Sequence, residues 1–180
     1  MADTTDNTPR STAARTVLGA AAVTSGLLAG VFLIFACAVM PALARSDDRG
    51  YVEVMRNIND VIQNPLFMLV FLGAPALTAA AAWQARTAPG RGRVWAALAA
   101  SVLAFAVTVA VNVPLNDALA RPGDPAALRE HFEDPWVTWN AVRTALTTLA
   151  TVLLTAALPT ARHLHPAPPT VKAPHDSALR

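Results

Sequence analysis

Charge is scarce in this chain: only 14% of its 180 residues are Asp, Glu, Lys or Arg, while 54% are hydrophobic. A mean hydropathy of +0.39 goes with that imbalance and excludes an ordinary soluble domain. Cysteine is nearly absent. With Cys37 alone, no intramolecular disulfide forms and no Cys-based metal site is supported, so its expected role is packing. No histidine falls within an apolar run, which disfavours axial His ligation of haem inside a helical bundle. His131, near Glu130 and Asp134, lacks a recognised metal-ligand spacing. The chain also lacks a P-loop, a dinucleotide fingerprint, an HExxH zinc motif and a GxSxG nucleophile elbow. No cofactor or metal is therefore expected. A net charge of +2, with scattered basic residues, does not suit nucleic acid.

What is present is apolar length. Four stretches without charge run from Thr16 to Ala44, Val61 to Ala85, Val94 to Asn116 and Thr144 to Ala161. As helices rising 1.5 Å per residue, each is long enough to cross a hydrocarbon core of about 30 Å. The expected fold is all-α: a four-helix transmembrane bundle in the lipid bilayer, with spans at about 17–44, 65–85, 94–116 and 136–159. Residues 15–161 form the membrane domain, between a disordered tail at 1–14 and a proline-rich one at 162–180. The first run exceeds the roughly 7–15 apolar residues of a signal core, which argues for a retained span.

Basic residues suggest the orientation. Arg10, Arg15, Arg86, Arg91, Arg93, Arg162, Lys172 and Arg180 lie in the tails and the short second connection. Arg45, Arg49, Arg56, Arg121, Arg129 and Arg143 lie at the other end. The positive-inside rule then favours cytoplasmic termini in the cell (inner) membrane.

Each connection has its own expected structure. In the first, Ser46 or Asp47 is a plausible N-cap, and Tyr51, Val54, Ile58 and Ile62 recur at helical spacing opposite Arg49, Glu53, Arg56 and Asp60. That is a short amphipathic helix between spans one and two, ended by Asn64-Pro65. Asn57, Asn59 and Asn64 face the same outer mouth in this topology but read as solvated or capping residues. Gly90 and Gly92 mark a tight second turn. The polar third connection, Ala118 to Glu133, is expected to close over the outer mouth, with Asp134-Pro135 starting the fourth helix. Gly19, Gly26 and Gly30 suit close helix packing within or between chains, so the oligomeric state stays open.

Polar groups at the outer ends of spans three and four are costly there and call for partners inside the protein. Asn112 and Asn116 stand four apart, with Asp117 next. Trp136, Trp139, Asn140 and Arg143 follow at i, i+3, i+4 and i+7, one helical face. Antiparallel spans bring the two sets together, and Asp117 and Arg143 become natural ion-pair partners. Pro114 should bend its helix and free the Ala110 carbonyl for Asn112 or Asn116. A structural cluster, with an Asp–Arg pair fixing register and tryptophans as interface anchors, competes with a ligand site.

Four segments in order carry a resemblance: Gly30-Val31-Phe32 through Met40-Pro41-Ala42-Leu43, Asn57-Ile58-Asn59 with Asn64-Pro65-Leu66-Phe67, Asn112 to Asp117, and Trp136-Val137-Thr138-Trp139-Asn140 with Arg143-Thr144. Over roughly residues 17–158 the chain resembles the DUF1772, or anthrone oxygenase, family. The resemblance implies a four-helix membrane protein. For the members that name the family, it implies oxidation of anthrones by O₂ without an added cofactor. For such chemistry the cluster offers Asp117 as its only ionisable base, Trp136 and Trp139 to line a substrate slot, and Asn112, Asn116, Asn140 and Arg143 as donors to the developing oxyanion, with Asp117 and Arg143 as the catalytic pair of residues. The family pattern has histidine after the Trp-Asn pair, where this chain has Ala141. Two other classes fit the same residues: a non-enzymatic binder of a lipophilic small molecule or partner complex, and, more remotely, a transporter.

Overall fold

The computed structural model describes residues 8–158, with side chains from residue 12 onward. The described residues are helical and contain no strand. Helix α1 spans Thr8–Ile34, widens into a π turn at Phe35–Val39 and continues as α2, Met40–Leu43. Then come α3 (Asp48–Ile62), α4 (Pro65–Gln84) and α5 (Arg91–Val107). A second π turn, Thr108–Asn112, leads into α6 (Val113–Ala120), and α7 runs from Pro125 to Ala157. Residues 8–14, expected in the N-terminal tail, are thus the opening turns of α1, while 1–7 and the C-terminal tail lie outside the described residues.

Around the bundle the order is α1, α7, α5, α4 and back to α1. Neighbours in sequence are neighbours in space, the up-down arrangement that short connections favour. Three segments are long and apolar enough to cross a membrane: Thr12–Leu43, Pro65–Gln84 and Arg91–Ala120. The expectation of four rests on α7, whose apolar part is broken by threonines. Those hydroxyls are satisfied within the helix, because Thr144, Thr147, Thr151 and Thr155 each donate to the carbonyl four residues earlier at 2.6–2.8 Å.

The core changes character along the bundle axis. Away from α3 it is built of small residues, among them Ala21, Ala82, Ala97 and Ala150, sealed by Leu154. Small side chains let backbones approach, which matters in lipid, where apolar burial drives little helix association. At the other end large groups fill a second core: Met40, Tyr51, Met55, Leu119, Phe132 and Trp136. Between the two lies a third cluster around Leu28, Phe32 and Phe71. Large side chains hold the helices apart at the α3 end, and a cavity opens there.

Two prolines shape that end. Pro41 and Pro114 each occupy the second position after a π turn. A proline ring crowds the carbonyl four residues back and offers it no N–H. The preceding turn widens instead, so Met40 N–H bonds the Phe35 carbonyl and Val113 N–H bonds that of Thr108. The shift to i→i+5 bonding replaces the amide repair expected around Ala110. Asn112 and Asn116 do not mend the backbone.

Helix α3 is capped by Asp47, whose Oδ1 accepts from Gly50 N–H at 2.7 Å. Its buried stripe is centred on Tyr51, Val52 and Met55, so Val54, at the edge, is left 44% exposed. Arg56, assigned by pattern to the solvent face, reaches across to the carbonyls of Leu119 and Arg121 at 2.8 and 2.7 Å, closing the end of α6. The third connection also differs from expectation: α7 starts ten residues early, capped by Asp124, and passes straight through Pro135. The added turns bury Phe132 against Tyr51 and Trp136, and that packing holds the helix past the proline. Of the three α1 glycines, only Gly26 abuts a neighbour, Thr151; Gly19 and Gly30 face open space.

Candidate functional site

The cavity at the large-residue end has a volume of about 190 Å³ and is walled by α1, the α3–α4 junction, the second π turn, α6 and α7. Its aromatic wall comes from Phe32, Phe35, Phe67, Phe71 and Trp136. Polar groups reach it from four elements: Asn59 and Gln63 on and just after α3, Thr108, Asn116 and Asp117, and Arg143 on α7. An engineered cavity of roughly 150 Å³ holds one benzene. The enclosed part therefore takes about one aromatic ring, and a larger ligand would extend into the mouth.

Arg143 is the unusual group. It is 5% exposed, and among the described residues no carboxylate forms an ion pair with it. Nη2 donates to Asn140 Oδ1 at 2.9 Å, and Nε has no partner. The guanidinium lies 4.4 Å from the Phe32 ring centroid and 5.3 Å from that of Trp136. Cation–π contact of this kind offsets part of the desolvation cost but supplies no counter-charge. Asn140 is held by its own donation to the Phe32 carbonyl at 3.0 Å, beside the first π turn, so the position of Arg143 is fixed from two sides.

The remaining candidates divide. Asn116 lines the cavity and accepts from Trp136 Nε1 at 2.9 Å, locking the indole as a wall. Asp117 sits on the exposed rim, and the expected Asp117–Arg143 pair does not form. Asn112 is 1% exposed with neither amide atom partnered, and it lies outside the cavity lining. Trp139, at the edge of the face shared by Trp136, Asn140 and Arg143, is 38% exposed and does not line the cavity. Ala141 is exposed too, so a histidine in its place would not face this cavity. Pattern reading missed Phe32, Phe35, Phe67, Phe71 and Thr108, which look like ordinary core or lipid-facing residues in an apolar run. Asn59 faces the mouth as the topology places it, but with Gln63 it lines the cavity, a role the pattern did not give it.

The fold and site define a helical integral membrane protein with a semi-enclosed aromatic cavity at its α3 end and, among the described residues, a single buried cation, Arg143. The family model of anthrone oxygenase matches residues 67–153, from the start of α4 to near the end of α7. No curated protein and no solved structure matches the chain.

Proposed function

We propose that this protein is a cofactor-independent oxygenase acting on a polycyclic phenol such as an anthrone. The observation that carries the reading is Arg143, a buried cation without a carboxylate partner, set at the aromatic cavity and within the segment that the anthrone oxygenase family model matches. An anthrone methylene is acidic because the anion formed on losing its proton spreads charge onto the ring carbonyl oxygen. Arg143 and Asn116 are suited to binding that developing oxyanion, and Asp117 is the base at the rim.

The steps balance with O₂ as the sole oxidant. Asp117 takes a methylene proton, and the anion gives one electron to O₂. The two radicals then combine to form a C–O bond, and the peroxide is protonated. Loss of the second methylene proton breaks the O–O bond and expels hydroxide, giving quinone and one water. Phe32, Phe71 and Trp136 hold the rings, and binding excludes water from the anion.

In this reading α7 is the fourth crossing, its threonine hydroxyls bonded within the helix, and the termini are cytoplasmic with the cavity at the outer face of the inner membrane. Purified protein with emodin anthrone under O₂ tests the proposal. Turnover above the spontaneous rate, lost in Asp117→Ala and Arg143→Ala, supports it. Rates equal to the uncatalysed reaction, with ligand still bound, would instead identify a non-enzymatic binder of lipophilic phenols.

A further inference from the structure

We infer that the cavity is filled sideways from the bilayer, by a polycyclic arene dissolved in lipid, through a gap between α4 and α6. This rests on the proposed function for the ligand's class, but not on any turnover.

The gap follows from the change of partners at the second π turn. Before it, α5 packs on α4 and α7; after it, α6 packs on α3 and α7. Helix α4 stays with α1 and α5, and its packing against α6 is slight at most, which leaves its first turns thinly covered on that side. The cavity lies behind that opening. Its exposed lining residues are four: Gln63, Met68, Val113 and Asp117. They form an amphipathic rim. Gln63 follows α3 and Asp117 lies near the end of α6, toward the polar end of the bundle, whereas Met68, in the first turn of α4, and Val113, at the start of α6, lie further into the membrane-crossing segments.

Met68 is 36% and Val113 42% exposed. Around them Leu66 and Leu69 on α4 and Val109 beside α6 are 73%, 70% and 50% exposed. In water so many bare aliphatic side chains around one opening would be costly; in acyl chains they are solvated. A flat arene partitions into the same layer, at a depth where its rings can pass Met68 and Val113 while a hydroxyl stays near Gln63 and Asp117. The rings then meet Phe67 and Phe71, and the leading ring reaches Phe32 and Trp136.

The test attaches one apolar maleimide after folding, so assembly of the protein is not perturbed. Met68→Cys, Val113→Cys and Gln63→Cys are made in a Cys37→Ala background that keeps Trp136 as the only tryptophan, and the proteins are placed in lipid nanodiscs. Association of anthracene, delivered from preloaded vesicles, is followed by quenching of Trp136. Labels at Met68→Cys and Val113→Cys are expected to slow association at least tenfold, and the label at Gln63→Cys less than twofold. Slowing at Gln63→Cys alone, equal slowing at all three sites, or no slowing at any would overturn lateral access. Absence of turnover with anthrones, with this pattern intact, would remove the oxygenase reading and leave the portal standing.

Discussion

Asp117 and Arg143 line one cavity from two helices and yet do not pair: Arg143 gives its hydrogen bond to Asn140 and rests on the rings of Phe32 and Trp136. In the proposed reaction an ion pair there would neutralise the base and the oxyanion partner against each other. Held apart, the carboxylate and the cation are both free to act on a third molecule.

Arg143→Met should separate function from folding. It removes an uncompensated buried charge and one hydrogen bond, so stability is expected to change by less than about 1 kcal/mol. Turnover of an anthrone should fall about 100-fold, the scale for loss of one oxyanion donor. Thermal unfolding in nanodiscs and initial rates check the two halves; a large loss of stability would contradict the account of Arg143 as a group kept for its ligand.

Asn140 has the opposite character. Its side chain bonds both the Phe32 carbonyl and the Arg143 guanidinium. Asn140→Leu is expected to cost roughly 2–3 kcal/mol, since one of the lost bonds is to a charged group and both partners are left buried. A denaturant titration in mixed micelles measures this.

Arg129 fastens α3 to α7. It bonds Glu133, Asp48 and the carbonyls of Ala44 and Ser46 at 2.7–3.1 Å, and lies 4.6 Å from the Tyr51 ring centroid. Arg129→Ala should loosen the Ala44–Asp47 turn, seen as faster proteolysis there, and lower stability by about 1 kcal/mol or less, because the carbonyls and carboxylates it leaves are solvent-accessible. Arg129→Lys is expected to recover little, because an ammonium lacks the planar fork.

Tyr51 offers a pH-dependent test. Burial, then the charge of Glu133, pushes its phenol well above the ordinary 10.0, and its hydroxyl has no partner. The unfolded chain ionises near pH 10 while the folded protein keeps the phenol neutral. Ionisation of Tyr51 in the unfolded chain therefore costs nothing below that pH and erodes stability progressively as the pH rises above it. Tyr51→Phe should match or exceed the parent at pH 7, because it removes an unsatisfied polar group, and should flatten the fall in stability above pH 10. A steeper alkaline loss in the variant would refute this.

The stretches that became helices were legible from the chain alone because their causes are local. Apolar run length marked the three membrane-crossing segments, and Asp47 and Asn64 capped helices where their side chains can reach backbone N–H groups. The spacing of Trp136, Asn140 and Arg143 fixed a shared face, since 3.6 residues per turn leaves no alternative. Depth was not local. Trp139 belongs to the same pattern but lies one step around the helix, outside the cavity, and only neighbouring helices define which part of a face is inside.

Sequence by itself thus determined that this is a helical membrane protein with polar groups gathered at one end, because periodicity and hydropathy act residue by residue. Tertiary structure decided what those groups do. It carried α7 through Pro135 by burying Phe132, turned Pro41 and Pro114 into widened turns beside a cavity, and kept Arg143 from Asp117 by giving it Asn140 and two aromatic rings. Each outcome is a competition between distant partners, and a proline, an arginine or an asparagine does not encode alone which partner wins.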